Sequence, residues 1–126
     1  MDIMFDKPVN FGIDVLEHDE RLPSLRVEVK ISVDRFNESF LAKKKFWIEC
    51  EVFDGFLSGL RDERVVLKDM NNEFLFLVDV PSKKISWVFS TSELSGNLCK
   101  FEGTSELDDS EASLLVNAFM SFPKWW

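Results

Sequence analysis

The clearest pattern in the chain is Leu25-Arg26-Val27-Glu28-Val29-Lys30-Ile31-Ser32-Val33, where apolar and polar residues alternate without a break. A period of two puts every apolar side chain on one side of an extended backbone. The segment therefore reads as a strand with one dry and one wet face. Residues 11–16 carry a shorter version of the same pattern. Glu17-His18-Asp19-Glu20 then reads as an acidic turn, and Pro23 blocks continuation. Residues 40–52 predict a second strong strand. Phe46, Ile48, Cys50 and Val52 share one face of it, and Trp47, Glu49 and Glu51 the other. The period then lengthens: Val52, Phe53, Phe56, Leu57 and Leu60 recur near helical spacing. That predicts a short helix over residues 52–61, weakened by Gly55 and Gly59.

Residues 65–68 and 74–80 flank the turn-rich Asp69-Met70-Asn71-Asn72, a hairpin signal. Phe74-Leu75-Phe76-Leu77-Val78 is apolar on both faces, as expected of a central strand covered on both sides. Ile85, Trp87 and Phe89 alternate in the next strand. Residues 97–106 form the last one, with Cys99 and Phe101 expected inward. Asp108 followed by Glu111 resembles a capping box, and Ala112, Leu115, Val116 and Phe119 then line one helical face up to the stop at Pro123. The expected fold is α+β, with about six or seven mainly antiparallel strands, a mid-chain helix and a C-terminal helix covering the sheet. The pattern fits both a sandwich and a single sheet backed by a helix.

Composition narrows the function classes. The 126 residues are enough for one domain with a real core. A formal net charge of −8 argues against a nucleic-acid binder, which needs a basic footprint, and against an anionic membrane surface. Asp2 and Asp6 do not suit a signal peptide and no apolar run approaches a membrane span, so the expected compartment is the cytoplasm. Cys50 and Cys99 read as buried free thiols; a disulfide would need adjacent strands, and the cytoplasm would keep it reduced.

Chemistry-bearing groups are sparse. Two thiols and one histidine make no recognisable zinc site, and no phosphate loop, EF-hand spacing or nucleophile elbow is present, so no cofactor and no metal are expected. His18 with Asp19 could be a general base and its orienter, but a solvated loop histidine explains the same residues. Glu49 and Glu51 on one strand face would hold carboxylates roughly 7 Å apart, a glycosidase-like spacing. Alternating acids on a wet face are the simpler reading, and no enzyme is expected. Asp108, Asp109 and Glu111 could hold a hard cation, though helix capping accounts for them.

What remains is an acidic surface with a large aromatic supply, 13 phenylalanines and four tryptophans. Trp47 beside Glu49 and Glu51 suits an interface anchor, unless the mid-chain helix covers it. Glu17, Asp19, Glu20, Asp62 and Glu63 would add a negative rim, which favours a basic protein partner. The partner-binding candidates are Trp47, Glu49, Glu51, Asp62 and Glu63. Trp125-Trp126 either fold back on the sheet or form a contact, including a self-complementary patch in a homodimer. A Phe-rich pocket between sheet and helix would instead make a ligand binder.

The order of elements resembles one family. An alternating strand at 25–33 leads to Trp47-Ile48-Glu49, then to a helix with Phe53, Phe56, Leu57, Leu60 and Arg61-Asp62. Phe74-Leu75-Phe76-Leu77, the Ile85, Trp87 and Phe89 strand, and a terminal helix with Phe119, Phe122 and Pro123 follow. This pattern is similar to the WapI-type small bacterial immunity proteins of polymorphic-toxin systems. The resemblance implies a cytoplasmic protein that binds and neutralises a toxin domain, often a nuclease, made by the same cell. It transfers no site residue. An acidic protein that occludes an electropositive active site agrees with the charge arithmetic.

Overall fold

Two antiparallel meanders of four strands stack face to face. The first runs β1 (Ile3–Phe5), β2 (Asn10–Asp19), β3 (Ser24–Arg35) and β4 (Glu38–Glu49). The second runs β5 (Arg64–Lys68), β6 (Phe74–Asp79), β7 (Lys84–Ser92) and β8 (Leu98–Glu106). Helix α1 (Cys50–Gly59) joins the sheets and α2 (Asp109–Met120) follows the last strand. The structure, a computed structural model, describes residues 1–92, 95–124 and 126. The fold is α+β, and the layers form a sandwich. Phe11 stacks on Phe76 at 4.5 Å and Phe46 on Phe74 at 4.9 Å, each pair bridging the two sheets.

The alternating segment forms β3 as its period dictates: Leu25, Val27, Val29 and Ile31 are buried. In β6, Phe74, Phe76 and Val78 are buried and the strand lies between β5 and β7. Leu75 and Leu77 on its other face are only half-buried, so cover on both sides is incomplete. The hairpin before it is organised by Asp69. Its carboxylate accepts the Glu73 and Phe74 N–H groups at 2.8 and 3.0 Å and that of Asn71 at 3.3 Å.

Several boundaries differ from the sequence reading. β2 continues through Glu17, His18 and Asp19 past a register shift after Val15, so these residues are strand and not an acidic turn. Strand β1 has too few residues to show a period. The β4 strand stops at Glu49, and Cys50 opens α1 with its N–H donating to the Pro23 carbonyl at 2.8 Å. Glu49 and Glu51 therefore share no strand face, and the 7 Å spacing between them does not apply. Cys99 is exposed while Cys50 is buried, and both thiols are free.

The C-terminal helix starts with a complete capping box. Asp108 accepts the Glu111 N–H at 2.7 Å, and Glu111 accepts the Asp108 N–H at 2.9 Å. Ala112, Leu115, Val116 and Phe119 are its buried face. Phe119 reaches Phe5 and Phe11 from the first sheet, Phe76 from the second and Phe56 from α1. The phenylalanines between sheet and helix are thus packed on one another. Among the described residues no helix is long and apolar enough to cross a membrane.

Candidate functional site

The five partner-binding candidates do not converge on one patch. Trp47 stands on the outer face of the first sheet opposite Arg26, half-buried, with its carbonyl accepting the Met70 N–H at 3.0 Å. That face is of mixed charge. Arg26 pairs with Glu17 at 3.1 Å and Lys43 with Glu28 at 3.6 Å, and Lys45 lies two residues before Trp47. Glu49 is exposed at the end of β4, and Glu51 is exposed in the first turn of α1, where the helix dipole favours an acid. Asp62 and Glu63 are exposed beyond the far end of α1, their N–H groups donating to the Gly59 carbonyl at 3.2 and 2.9 Å. A helix of this length separates the two acidic pairs by roughly 15 Å.

The other candidates resolve as follows. His18 lies in β2 opposite Leu25, and the Asp19 carboxylate accepts the Arg21 N–H at 2.9 Å, so Asp19 shapes the β2–β3 turn. Trp126 folds back and packs against α1. It meets the Phe53 ring edge-on at 5.4 Å, with Lys124 Nζ 5.8 Å from its own ring centre. Trp125 lies outside the described residues. Asp108 and Glu111 are used by the capping box. The backbone N–H of Glu111 and the Ser110 hydroxyl hold the Asp108 carboxyl below its ordinary range. The Asp109 carboxylate, 2.8 Å away, raises the pKa of Lys83. Burial, then the nearby Asp54 charge, pushes the Cys50 thiol up and away from thiolate reactivity.

A different region stands out physically. The β3–β4 hairpin turns through Phe36 and Asn37. Phe36 has φ +54° and is fully exposed, with a relative accessibility of 107%. Positive φ suits glycine at the first position of a two-residue hairpin loop, and for a bulky residue it is strained. Phe40 and Leu41 nearby are exposed as well. Beneath this hairpin, toward β8 and the first turn of α2, runs an open groove of about 980 Å³. Phe40 and Phe101 line it with ring centres 6.1 Å apart, and Arg35 reaches the Ser105 hydroxyl at 3.3 Å. Glu38, Glu102, Glu106 and Glu111 give its walls four carboxylates against the cations Arg35 and Lys100.

Trp87 also borders the groove. It pairs with Gly103, and a Cβ there would sit 2.4 Å from its Cζ2 atom, so only glycine lets the indole lie across the neighbouring strand. Trp87 is buried, and its Nε1 has no hydrogen-bond partner among the described residues. On the inner face of β4, Lys44 reaches across the sandwich. Its Nζ meets the Glu73 carboxylate and donates to Thr91 Oγ1 at 2.9 Å and the Ser90 carbonyl at 3.2 Å. The sequence reading passed over the hairpin because its turn falls between the segments read as strands. Compared with protein-family models, with curated proteins and with solved structures, the chain matches none.

Proposed function

We propose that this chain is a non-catalytic binding domain that captures a basic protein, as an immunity or inhibitor protein neutralises a toxin domain. The observation that carries the reading is Phe36, a fully exposed aromatic side chain held in a strained backbone conformation at a hairpin tip. Strain and exposure each cost stability, and a partner that takes the ring into a pocket would offset both. Phe40 widens the apolar contact, and the acidic groove walls beside it suit Lys and Arg on the partner. Trp47 with Glu49 and Glu51 is a second contact in this reading, and Asp62 with Glu63 a separate one. The mechanism is occlusion without turnover, in the cytoplasm, and a nuclease is the natural target because its phosphate-binding site is electropositive.

The test is purification of the tagged protein from its own host at low salt, with the bound protein identified and its affinity measured against salt. The expected result is one stoichiometric basic partner whose binding weakens with salt. Phe36→Gly or Phe40→Ala should cost about tenfold or more in affinity. A partner indifferent to salt and to both substitutions would overturn the reading. A second reading rests on the groove itself. An elongated apolar ligand with one acceptor could lie between Phe40 and Phe101 and take the unused Trp87 N–H after a small shift of the wall. Thermal stabilisation by such a molecule, lost in Phe101→Ala, would favour it over protein capture.

A further inference from the structure

A sandwich of two open sheets has four edge strands, and three of these are managed. β1 is three residues long and packed by α2, and β5 is packed by α1. β4 is bonded by the Met70 N–H at Trp47 and carries the run Lys43-Lys44-Lys45, the kind of charge that blocks edge pairing. β8 differs. It is nine residues long, keeps an unbroken register with β7, and contains no proline and a single lysine. Among the described residues no backbone group pairs with its outward edge; the Ser105 side-chain hydroxyl donates to the Glu106 carbonyl at 3.3 Å.

The Leu107 N–H donates to the Lys83 carbonyl at 2.8 Å, which fixes the alternation along β7 and β8. Residues 99, 101, 103 and 105 point their backbone groups at β7. Leu98, Lys100, Glu102 and Thr104 then point theirs outward. An antiparallel second copy centred on Phe101 sets Lys100 against Glu102, Glu102 against Lys100 and Leu98 against Thr104, making about eight backbone hydrogen bonds. Lys100 and Glu102 already pair within the chain at 3.3 Å, so the two copies would form a square of alternating charges. On the groove side the two Phe101 rings meet at the two-fold axis, a favourable cross-strand pair. A centre at Glu102 would oppose Glu102 to itself, and one at Thr104 would oppose Glu102 to Glu106. We propose that β8 is a homodimerisation edge, pairing antiparallel with β8 of a second copy about Phe101 to make one continuous eight-stranded sheet.

This dimer does not use the hairpin tip, although it engages Phe101 and Glu102 of the groove. It also replaces the terminal tryptophans as the self-complementary element. Sedimentation equilibrium of the full chain tests it, with a dimer expected at about 10 μM. Lys100→Glu or Glu102→Lys should weaken the dimer about tenfold, and the double swap should return it to within about threefold of the original. In a Cys99→Ser background, Phe101→Cys should give an intermolecular disulfide, because opposed non-hydrogen-bonded residues have Cα atoms about 4.5 Å apart. The native Cys99 should not, because this register holds the two Cys99 residues roughly 13 Å apart. A chain monomeric at about 200 μM would overturn the proposal. So would a dimer that ignores both reversals, or one in which Phe101→Cys forms no bridge.

Discussion

Phenylalanine has two fates on the two flanks of this sandwich. On the flank of β1 and β5, both helices pack on the edge strands, and Phe5, Phe11, Phe56, Phe76 and Phe119 are buried in one cluster. On the flank of β4 and β8, Phe36 and Phe40 are exposed and Phe101 is half-buried over an open groove. The residue type is the same and the neighbouring elements differ. Burial here is a property of what the chain topology brings alongside, since both helices cross toward the first flank. The first flank holds the larger cluster of buried rings, and the second keeps exposed apolar surface.

Truncation separates the two flanks most sharply. Phe119→Ala removes a ring that touches both sheets and α1, and should cost about 3–5 kcal/mol in chemical denaturation. Phe40→Ala should cost about 1 kcal/mol or less, because nearly half of that side chain already meets water. Equal losses would mean that the second flank is core after all.

The next largest effect tests a tightly packed contact on the open flank. A Cβ at Gly103 would lie 2.4 Å from a ring atom of Trp87, and the ring cannot rotate away cheaply inside the sandwich. Gly103→Ala should destabilise by about 2 kcal/mol and shift Trp87 fluorescence, whereas Gly55→Ala, which meets nothing within 4 Å, should stabilise by about 0.5–1 kcal/mol.

These contrasts show what a single sequence can reveal. The dry face of β3, the β5–β6 hairpin and the cap of α2 are local patterns, so residues 25–33, Asp69 and Asp108 announced them. The start of α1 was ambiguous at Cys50. Cys50 fits the period of two with Phe46 and Ile48, and also the helical period with Phe53 and Phe56. Cys99 does share a face with Phe101, as its alternation says, but β8 is the last strand of its sheet and that end of it is uncovered. Which strand is an edge, and which glycine faces which tryptophan, depends on pairing across the chain. The groove, the Trp87–Gly103 contact and the bare edge of β8 were therefore not legible. Nor was Phe36, whose backbone contradicts its own conformational preference.

Phe36 tests whether that contradiction serves binding. Glycine at this position relieves the positive φ, so Phe36→Gly should stabilise the fold by about 1 kcal/mol while weakening capture of the basic partner. A variant that gains stability and keeps full affinity would make the strain a structural accident.

The smallest effect lies at the junction of the two flanks, where β8 hands the chain to α2. Asp108 accepts from the Glu111 N–H and the Ser110 hydroxyl, and both bonds favour the ionised carboxylate. Its pKa is therefore lower in the folded than in the unfolded chain. Such a group contributes its full stabilisation above the unfolded pKa, and the contribution disappears as pH falls through the lower folded value. The cap should hold at neutral pH and weaken only in strong acid. An NMR titration should place the Asp108 midpoint below that of an unstructured aspartate, and Ser110→Ala should raise it by removing the hydroxyl that donates to the carboxylate. Asp108 is fully solvated, so the change in melting temperature should be small beside that of Phe119→Ala. A large loss on Asp108→Ala would mean that α2 holds its flank through its first turn, and that the buried Phe119 ring matters less than its contacts imply.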